Sequence, residues 1–230
     1  MHALLDASSA ATHGIVVRAF VGPTLPRLPR VSSPALEVAP PLRRGGLEAM
    51  PSGSWAIIID GVLEPNLRID AAEIKRCVER GVVCHGSSSM GAMLGAQVAP
   101  DAVKGQGRVY EYLKRHHAGA EDLIAVLYDA ITCAPLTVPL INPVLFVEAA
   151  AAEGLLSQRE RKLALADLKD VVLPQRQRSR IASVLSAYGL IDRYPDYKAD
   201  DARDLLRWAV GASTSLSAGQ IAHGRNGPRV

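Results

Sequence analysis

The chain is short of the residues that mark specialised classes of protein. Aromatic side chains make up only 4% of its 230 positions, with two Phe and two Trp, so its core has to be aliphatic and rich in alanine. There are three cysteines, Cys77, Cys84 and Cys133. Their odd count and irregular spacing give no metal-binding pattern and read as buried thiols. No apolar run reaches ~18 residues, which excludes a membrane-spanning helix. The basic residues form no single block, and a net charge of +3 is too mild to argue for nucleic acid. Met1 to Thr12 carry Asp6 and no basic stretch, so they are not a secretory signal. A soluble cytoplasmic protein is expected. What the chain does have is an apolar share of 48%, enough to fill one large domain, or one domain with an appendage.

Along the chain, residues 1–13 read as a flexible leader. Gly14 to Val21 reads as a first strand, ended by Gly22-Pro23. Residues 22–54 read as loops, with one short strand around Leu36-Glu37-Val38. Trp55 to Ile59 is a near-continuous apolar run, which suits a parallel strand covered on both faces. The spacing of Ile69, Ala72, Ile74, Cys77 and Val78 predicts a helix over 69–80 with Asp70 as its N-cap and Gly81 just past its end. Val82-Val83-Cys84 reads as another strand, followed by a serine turn and a helix over Met90 to Val98. Gly105-Gln106-Gly107 reads as a flexible loop before a helix that ends near His117. Asp122 to Tyr128 is undecided between strand and helix, and Leu136-Thr137-Val138 is a candidate short strand. From Val144 helical signals dominate, with amphipathic segments at Leu155–Val172, Arg176–Tyr188 and Asp200–Val210. Residues 211–230 read as a disordered tail. The expected fold is α/β, Rossmann-like and three-layered with a mostly parallel sheet. Its core spans 14–150 and a helical extension covers 151–210.

The most informative stretch is Val82-Val83-Cys84-His85-Gly86-Ser87-Ser88-Ser89-Met90-Gly91-Ala92. A buried strand breaks at glycine, three hydroxyl residues follow, and a helix starts at small residues. This small-x-Ser-x-Gly turn has the local chemistry of a nucleophile elbow, which lifts a serine hydroxyl clear of the backbone at a strand-to-helix turn. The helix start offers free N–H groups and a positive dipole end to an oxyanion. The alternative is a plain serine N-cap. Strand, helix, strand, serine turn and helix form one βαβα unit. A right-handed crossover places the two strands in one sheet and parallel. Asp60-Gly61 and Gly86–Ser89 then share the carboxyl edge, where open α/β sheets bind ligands.

Several pieces coincide in order and spacing: Phe20-Val21-Gly22-Pro23-Thr24-Leu25, Pro40-Pro41, Ile59-Asp60-Gly61, Glu73-Ile74, Gly81-Val82, Gly86-Ser87-Ser88-Ser89-Met90-Gly91-Ala92 and Gly105-x-Gly107-x-Val109-Tyr110. Together they resemble the core domain of the TfuA-like proteins over roughly residues 18–155. The resemblance implies a companion of YcaO enzymes, which use ATP to activate peptide amides. The product is then a thioamide, in a ribosomal peptide natural product (RiPP) or in a methanogenesis enzyme. The companion either releases sulfide from a thiocarboxylated sulfur-carrier protein or activates its YcaO partner. In the first case Ser89 attacks the thiocarboxylate carbon and expels sulfide, and water frees the acyl-enzyme. The chain departs from the family pattern at Met93-Leu94-Gly95-Ala96-Gln97, where an arginine and a glutamate are gone. Ala71-Ala72 replaces a His-Lys pair. Asn142 keeps the asparagine of an Asn-Ile-Arg motif but loses the arginine, an anion clamp.

Ser89 is the main catalytic candidate, with Asp60 and Glu73 as its companions. Asp60 orients a base, binds substrate or caps the next turn, and Glu73 is otherwise a solvated helix-face carboxylate. Gly22, Pro23, Thr24, Gly61, Gly86, Ser87, Ser88, Met90, Gly91 and Asn142 are candidate substrate-binding positions. His85 is a further one and a candidate base, although strand alternation points it away from Ser89. Gly105 and Gly107 form either a lid or a turn. Cys84 is a core thiol or a persulfide carrier. No cofactor and no metal are called for. The readings left open are a sulfide-releasing serine thiohydrolase, a docking and activating subunit of a YcaO-type enzyme, and a generic serine hydrolase; a homo-oligomer is compatible with each.

Overall fold

The computed structural model describes residues 16–28, 36–190 and 194–223, with side chains to residue 212. The expected leader at 1–13 lies outside the described residues. Five strands form one sheet: β1 (Val17–Phe20), β2 (Leu36–Ala39), β3 (Trp55–Ile58), β4 (Val83–Ser87) and β5 (Val103–Gln106). Every pairing is parallel, and the order is β2-β1-β3-β4-β5. The chain steps outward from β1 to β2, returns past β1 to β3, and then continues in the other direction. The order therefore reverses between β1 and β3, and the crevice at such a reversal is the usual ligand position of a doubly wound sheet. The three-layer α/β architecture expected from the sequence is present.

The continuous apolar run of β3 is explained by what covers it. Ala56 and Ile58 join one core cluster, while Ile57 and Ile59 join a second on the opposite face. The first face carries α1 (Ala71–Glu79), α2 (Met90–Met93), α3 (Arg108–Arg115), α4 (Ala120–Ile124), α5 (Ile141–Ala152), α6 (Gln158–Lys169) and α7 (Arg178–Ser186). The second face is covered by one helix, α8 (Tyr197–His223), through Ala199, Ala202, Leu205, Leu206 and Ala209. Leu205 and Leu206 are each nearly or fully buried and contribute about 1.5–3 kcal/mol apiece, so α8 is held firmly against the sheet. Its contacts with β1, β3 and β4 cross the boundary at residue 150 that the sequence suggested.

Local expectations hold where side-chain chemistry is explicit. Asp70 caps α1 by accepting from the Glu73 N–H at 2.8 Å, and Gly81 follows the helix at φ +91°. The helix after the serine turn passes from α2 into a π-helical turn over Leu94–Val98. Other segments differ. Gly105 lies in β5 rather than in a loop, with Cα and N about 3 Å from the position of a Cβ on Gly95. Residues 136–138 carry no strand; a single bridge pairs Tyr128 with Pro135. The last helix continues through His223 rather than ending at 210. Residues 224–230 lie outside the described residues.

Candidate functional site

The carboxyl edge gathers the ends of β1, β3 and β4 and the first turn of α8. At the end of β3, Asp60 is 1% exposed. Its Oδ2 accepts from the N–H groups of Gly22 at 2.9 Å and Thr24 at 3.0 Å, and its Oδ1 accepts from the Thr24 hydroxyl at 2.6 Å. Asp60 thus ties the β1 loop to β3 across the point where the strand order reverses. Gly22 is required there because a Cβ would stand 2.4 Å from Pro41 Cγ. Gly61 faces the Met90 sulfur in the same way, at 2.2 Å.

The three serines of the turn have different fates. Ser87 is fully buried and donates to the Gln106 carbonyl at 2.9 Å and the Asp201 carbonyl at 3.3 Å. Ser88 is also fully buried and donates to the Lys198 carbonyl at 2.7 Å. Its φ is +70°, a left-handed conformation that costs on the order of 1–3 kcal/mol for a residue with a Cβ. The strain of the turn therefore sits one residue before Ser89. Ser89 occupies the N-cap position of α2, yet its hydroxyl makes no capping bond and has no partner among the described residues. Of the three hydroxyls, it alone is held by no hydrogen bond.

Close glycine packing fixes the turn. A Cβ on Gly91 would lie 1.8 Å from the Ile58 carbonyl oxygen, and one on Gly86 would lie 2.2 Å from the Gly91 carbonyl oxygen. The Gly91 N–H donates to Ile59 O at 3.2 Å, and the Met93 N–H to Ser89 O at 3.2 Å. Among the described residues this leaves Met90 and Ala92 as the free first-turn amides, so Gly91 N–H is not an oxyanion donor here.

Other expected site residues sit elsewhere. Glu73 is 1% exposed and accepts from the N–H groups of Gly45 at 2.9 Å and Leu47 at 3.4 Å. It anchors the loop before β3 and is no solvated carboxylate. His85 points to the α8 face, with ring centroids 5.7 Å from Trp55 and 4.5 Å from Trp208. Burial, helped by the nearby Lys104 charge, pushes its imidazole down to about 4. Strand alternation puts His85 on the same face as Ser87, whose hydroxyl also meets α8. Gly107, at φ +99°, lies against the Asp201 carboxylate, which caps α3 by accepting from Val109 N–H at 2.8 Å. Gly107 is thus a packed turn position rather than a lid. The Cys84 thiol is pushed up to about 12 by burial and then by Cys77, so it stays protonated and inert.

Sequence reasoning missed the contribution of α8. Lys198 is 2% exposed, donates its amine to Ile124 O at 2.9 Å, and is held below the usual lysine range by burial despite the charges of Asp60 and Asp196. Asn142 positions it: Nδ2 donates to Asp196 Oδ1 at 2.8 Å and Oδ1 accepts from Lys198 N–H at 3.0 Å. A cavity of about 240 Å³ opens here, lined by Pro23, Thr24, Asn142, Arg178, Tyr194 and Lys198 among others. The available signal was Lys198 itself, a charge on the helical stripe that continues through Ala202, Leu205 and Ala209.

A family model described as "TfuA-like protein" matches residues 60–177, just over half of the chain. It covers Asp60, the serine turn and Asn142. No curated protein matches the chain. Among the described residues, no helix is long and apolar enough to cross a membrane.

Proposed function

Since the chain belongs to the TfuA-like family, whose members take part in thioamide and related sulfur biosynthesis alongside YcaO partners, we propose that it delivers sulfur by hydrolysing a thiocarboxylated sulfur-carrier protein in the cytoplasm. The observation that carries this reading is the Ser89 hydroxyl, left without a bond while Ser87 and the strained Ser88 just before it are pinned by hydrogen bonds. Ser89 Oγ bonds to the thiocarboxylate carbon, and the C–S bond breaks. The hydroxyl proton leaves with the sulfur as hydrosulfide, so no strong acid is needed. Water then splits the acyl ester and restores the hydroxyl. Lys198 is a positioning residue: its main-chain carbonyl accepts from Ser88, and its buried amine donates to Ile124 O. The free amides of Met90 and Ala92 face the developing oxyanion.

The test is sulfide release from a thiocarboxylated carrier by the purified protein. Wild type should release sulfide, and Ser89→Ala should lower the rate by roughly 10³-fold or more. Wild type that releases none from an intact, reactive carrier would overturn the hydrolase and favour an activating subunit of a YcaO-type enzyme. One observation favours that second reading independently. Ile131 is 93% exposed and Leu136 64% exposed on one loop, an apolar pair of the kind that docks on a partner.

A further inference from the structure

The cavity beside the first turn of α8 contains a buried donor and an exposed cation that have no side-chain partner among the described residues. The Tyr194 hydroxyl is buried and has no hydrogen-bond partner. Burial pushes this phenol up to about 12, so it is a protonated donor at neutral pH. Arg178, an exposed residue at the start of α7, lines the same cavity and has neither an ion pair nor a side-chain hydrogen bond among the described residues. Its neighbour Arg176 shows what a structural arginine looks like here. It is 1% exposed, grips the Asp122 carboxylate at 2.6 and 2.8 Å, and donates to two backbone carbonyls.

The remaining polar groups of the cavity already have partners. The Thr24 hydroxyl donates to Asp60, Thr137 Oγ1 accepts from Leu127 N–H, and the Lys198 amine donates to Ile124 O. Asp196 accepts from Asn142 and from the Ala199 N–H, and its charge answers that of Lys198. Among the described residues Arg178 is therefore the cavity's charge without a protein partner; it is exposed to solvent, whereas the Tyr194 hydroxyl is sealed from it. A buried donor without a partner is rare and destabilising, and its usual explanation is a ligand that completes it. The ligand must supply acceptor oxygens and negative charge. At about 240 Å³ the cavity is smaller than a typical drug-sized pocket of ~300–1,000 Å³, so it admits a small terminal group.

We propose that this cavity binds a carboxylate-class anion at the small end of a molecule, with its charge on Arg178 and one oxygen on the Tyr194 hydroxyl. Two sources share that chemistry: the C-terminus of a polypeptide and a free small acid. A terminal thiocarboxylate carries the same charge, so the link to sulfur delivery rests on the reading above. The anion site itself does not.

The experiment is calorimetric titration of the full chain with three probes: an N-acetylated tetrapeptide acid ending in glycine, its C-terminal amide, and N-acetylglycine. The acid should bind about tenfold or more tighter than the amide, as a charge-assisted arginine contact requires. Arg178→Gln should weaken the acid by a similar factor, and Tyr194→Phe by roughly three- to tenfold. A tetrapeptide acid that outbinds N-acetylglycine assigns the site to a chain terminus, and equal binding assigns it to a free acid. Equal affinity for acid and amide, no binding of either, or full affinity in Arg178→Gln would overturn the proposal. Tyr194→Phe removes only an unpartnered hydroxyl, so a loss of affinity with an unchanged melting temperature cannot come from misfolding. The readout is also independent of sulfide release. A protein that binds the acid and releases no sulfide keeps this site and loses the hydrolase.

Discussion

The serine turn and the cavity beside α8 lie on the same carboxyl edge, yet they are built on opposite principles. Around the turn nearly every polar group has its partner inside the protein. Ser87 and Ser88 are bonded to backbone carbonyls, Asp60 accepts three bonds, and glycines bring backbone against backbone. In the cavity, the buried Tyr194 hydroxyl and the exposed Arg178 have none among the described residues. A region whose valences are closed internally holds a reactive group in place, and Ser89 is the one hydroxyl it leaves open to chemistry. A region with open valences is completed by something else. The first predicts large losses of stability on substitution, and the second predicts losses of binding with little change in stability.

The sharpest test of the closed region is Gly91→Ala. The new Cβ would meet the Ile58 carbonyl oxygen at 1.8 Å and its carbon at 2.7 Å. Both are backbone atoms of a central strand and cannot swing aside. Overpacking of this kind costs about 3 kcal/mol or more, a fall of roughly 10 °C in Tm for a chain of this size. Gly154→Ala is the control: its φ is +77°, but its Cβ would meet nothing within 4 Å, so only the left-handed conformation is penalised, by about 1 kcal/mol. Thermal melting of the two side by side decides the point. Equal losses would mean that the turn is loosely packed.

The next effect comes from the other side of β4. His85 is neutral beside the stacked pair of Trp55 and Trp208, with its imidazole pushed down to about 4 from the usual 6.5. The unfolded chain therefore binds more protons than the folded one between those values. The stability gained from the neutral ring is complete above about pH 6.5 and is lost as pH falls through 4. The shift corresponds to on the order of 3 kcal/mol. His85→Phe keeps a ring beside the stacked tryptophans and removes the titration. The variant should hold its Tm between pH 6.5 and 4 while wild type falls, and parallel curves would mean that the imidazole is solvated.

How much of this was legible depended on whether partners were near in sequence. The β3 run, the Asp70 cap and the serine turn are local patterns, and each was found. The crevice was placed on the correct edge because a βαβ unit fixes where its strand ends lie. β5 escaped because Val103-Lys104-Gly105-Gln106 has one buried apolar residue and a glycine needed for Gly95 and Tyr110 to approach. Glu73 looked solvated because its partners, Gly45 and Leu47, come from a loop with no regular pattern. The cavity was invisible because Asn142 meets Asp196 and Lys198 across more than fifty positions. A lysine on an otherwise apolar stripe was the one trace it left.

The two regions also make opposite predictions for the removal of a single oxygen. Ser88→Ala keeps the positive φ and deletes the bond to the Lys198 carbonyl at 2.7 Å. That buried carbonyl loses its hydroxyl donor, and a loss of about 1–2 kcal/mol is expected. Ser89→Ala deletes a hydroxyl with no partner and should change stability by less than about 0.5 kcal/mol. Chemical denaturation of the pair separates them. If both lose the same amount, the Ser89 hydroxyl is bonded no less firmly than its neighbour and cannot be the reserved nucleophile.

The smallest effect is also the most specific, because it carries the opposite sign. Tyr194→Phe in the unliganded protein removes a buried donor that has paid for desolvation without gaining a bond. Most substitutions of buried residues destabilise, yet this one should leave stability unchanged or raise it by up to about 1 kcal/mol. Its aromatic contact with Phe146, at 6.0 Å between centroids, is retained. The measurement is ΔG of unfolding from urea titration, with and without the tetrapeptide acid. Without ligand the variant should match or exceed wild type. With saturating acid the order should reverse, because only wild type gains the full binding energy on its native state. A variant that is less stable in both conditions would show that the hydroxyl already has a structural partner, such as an ordered water, and would return the cavity to the closed class of the serine turn.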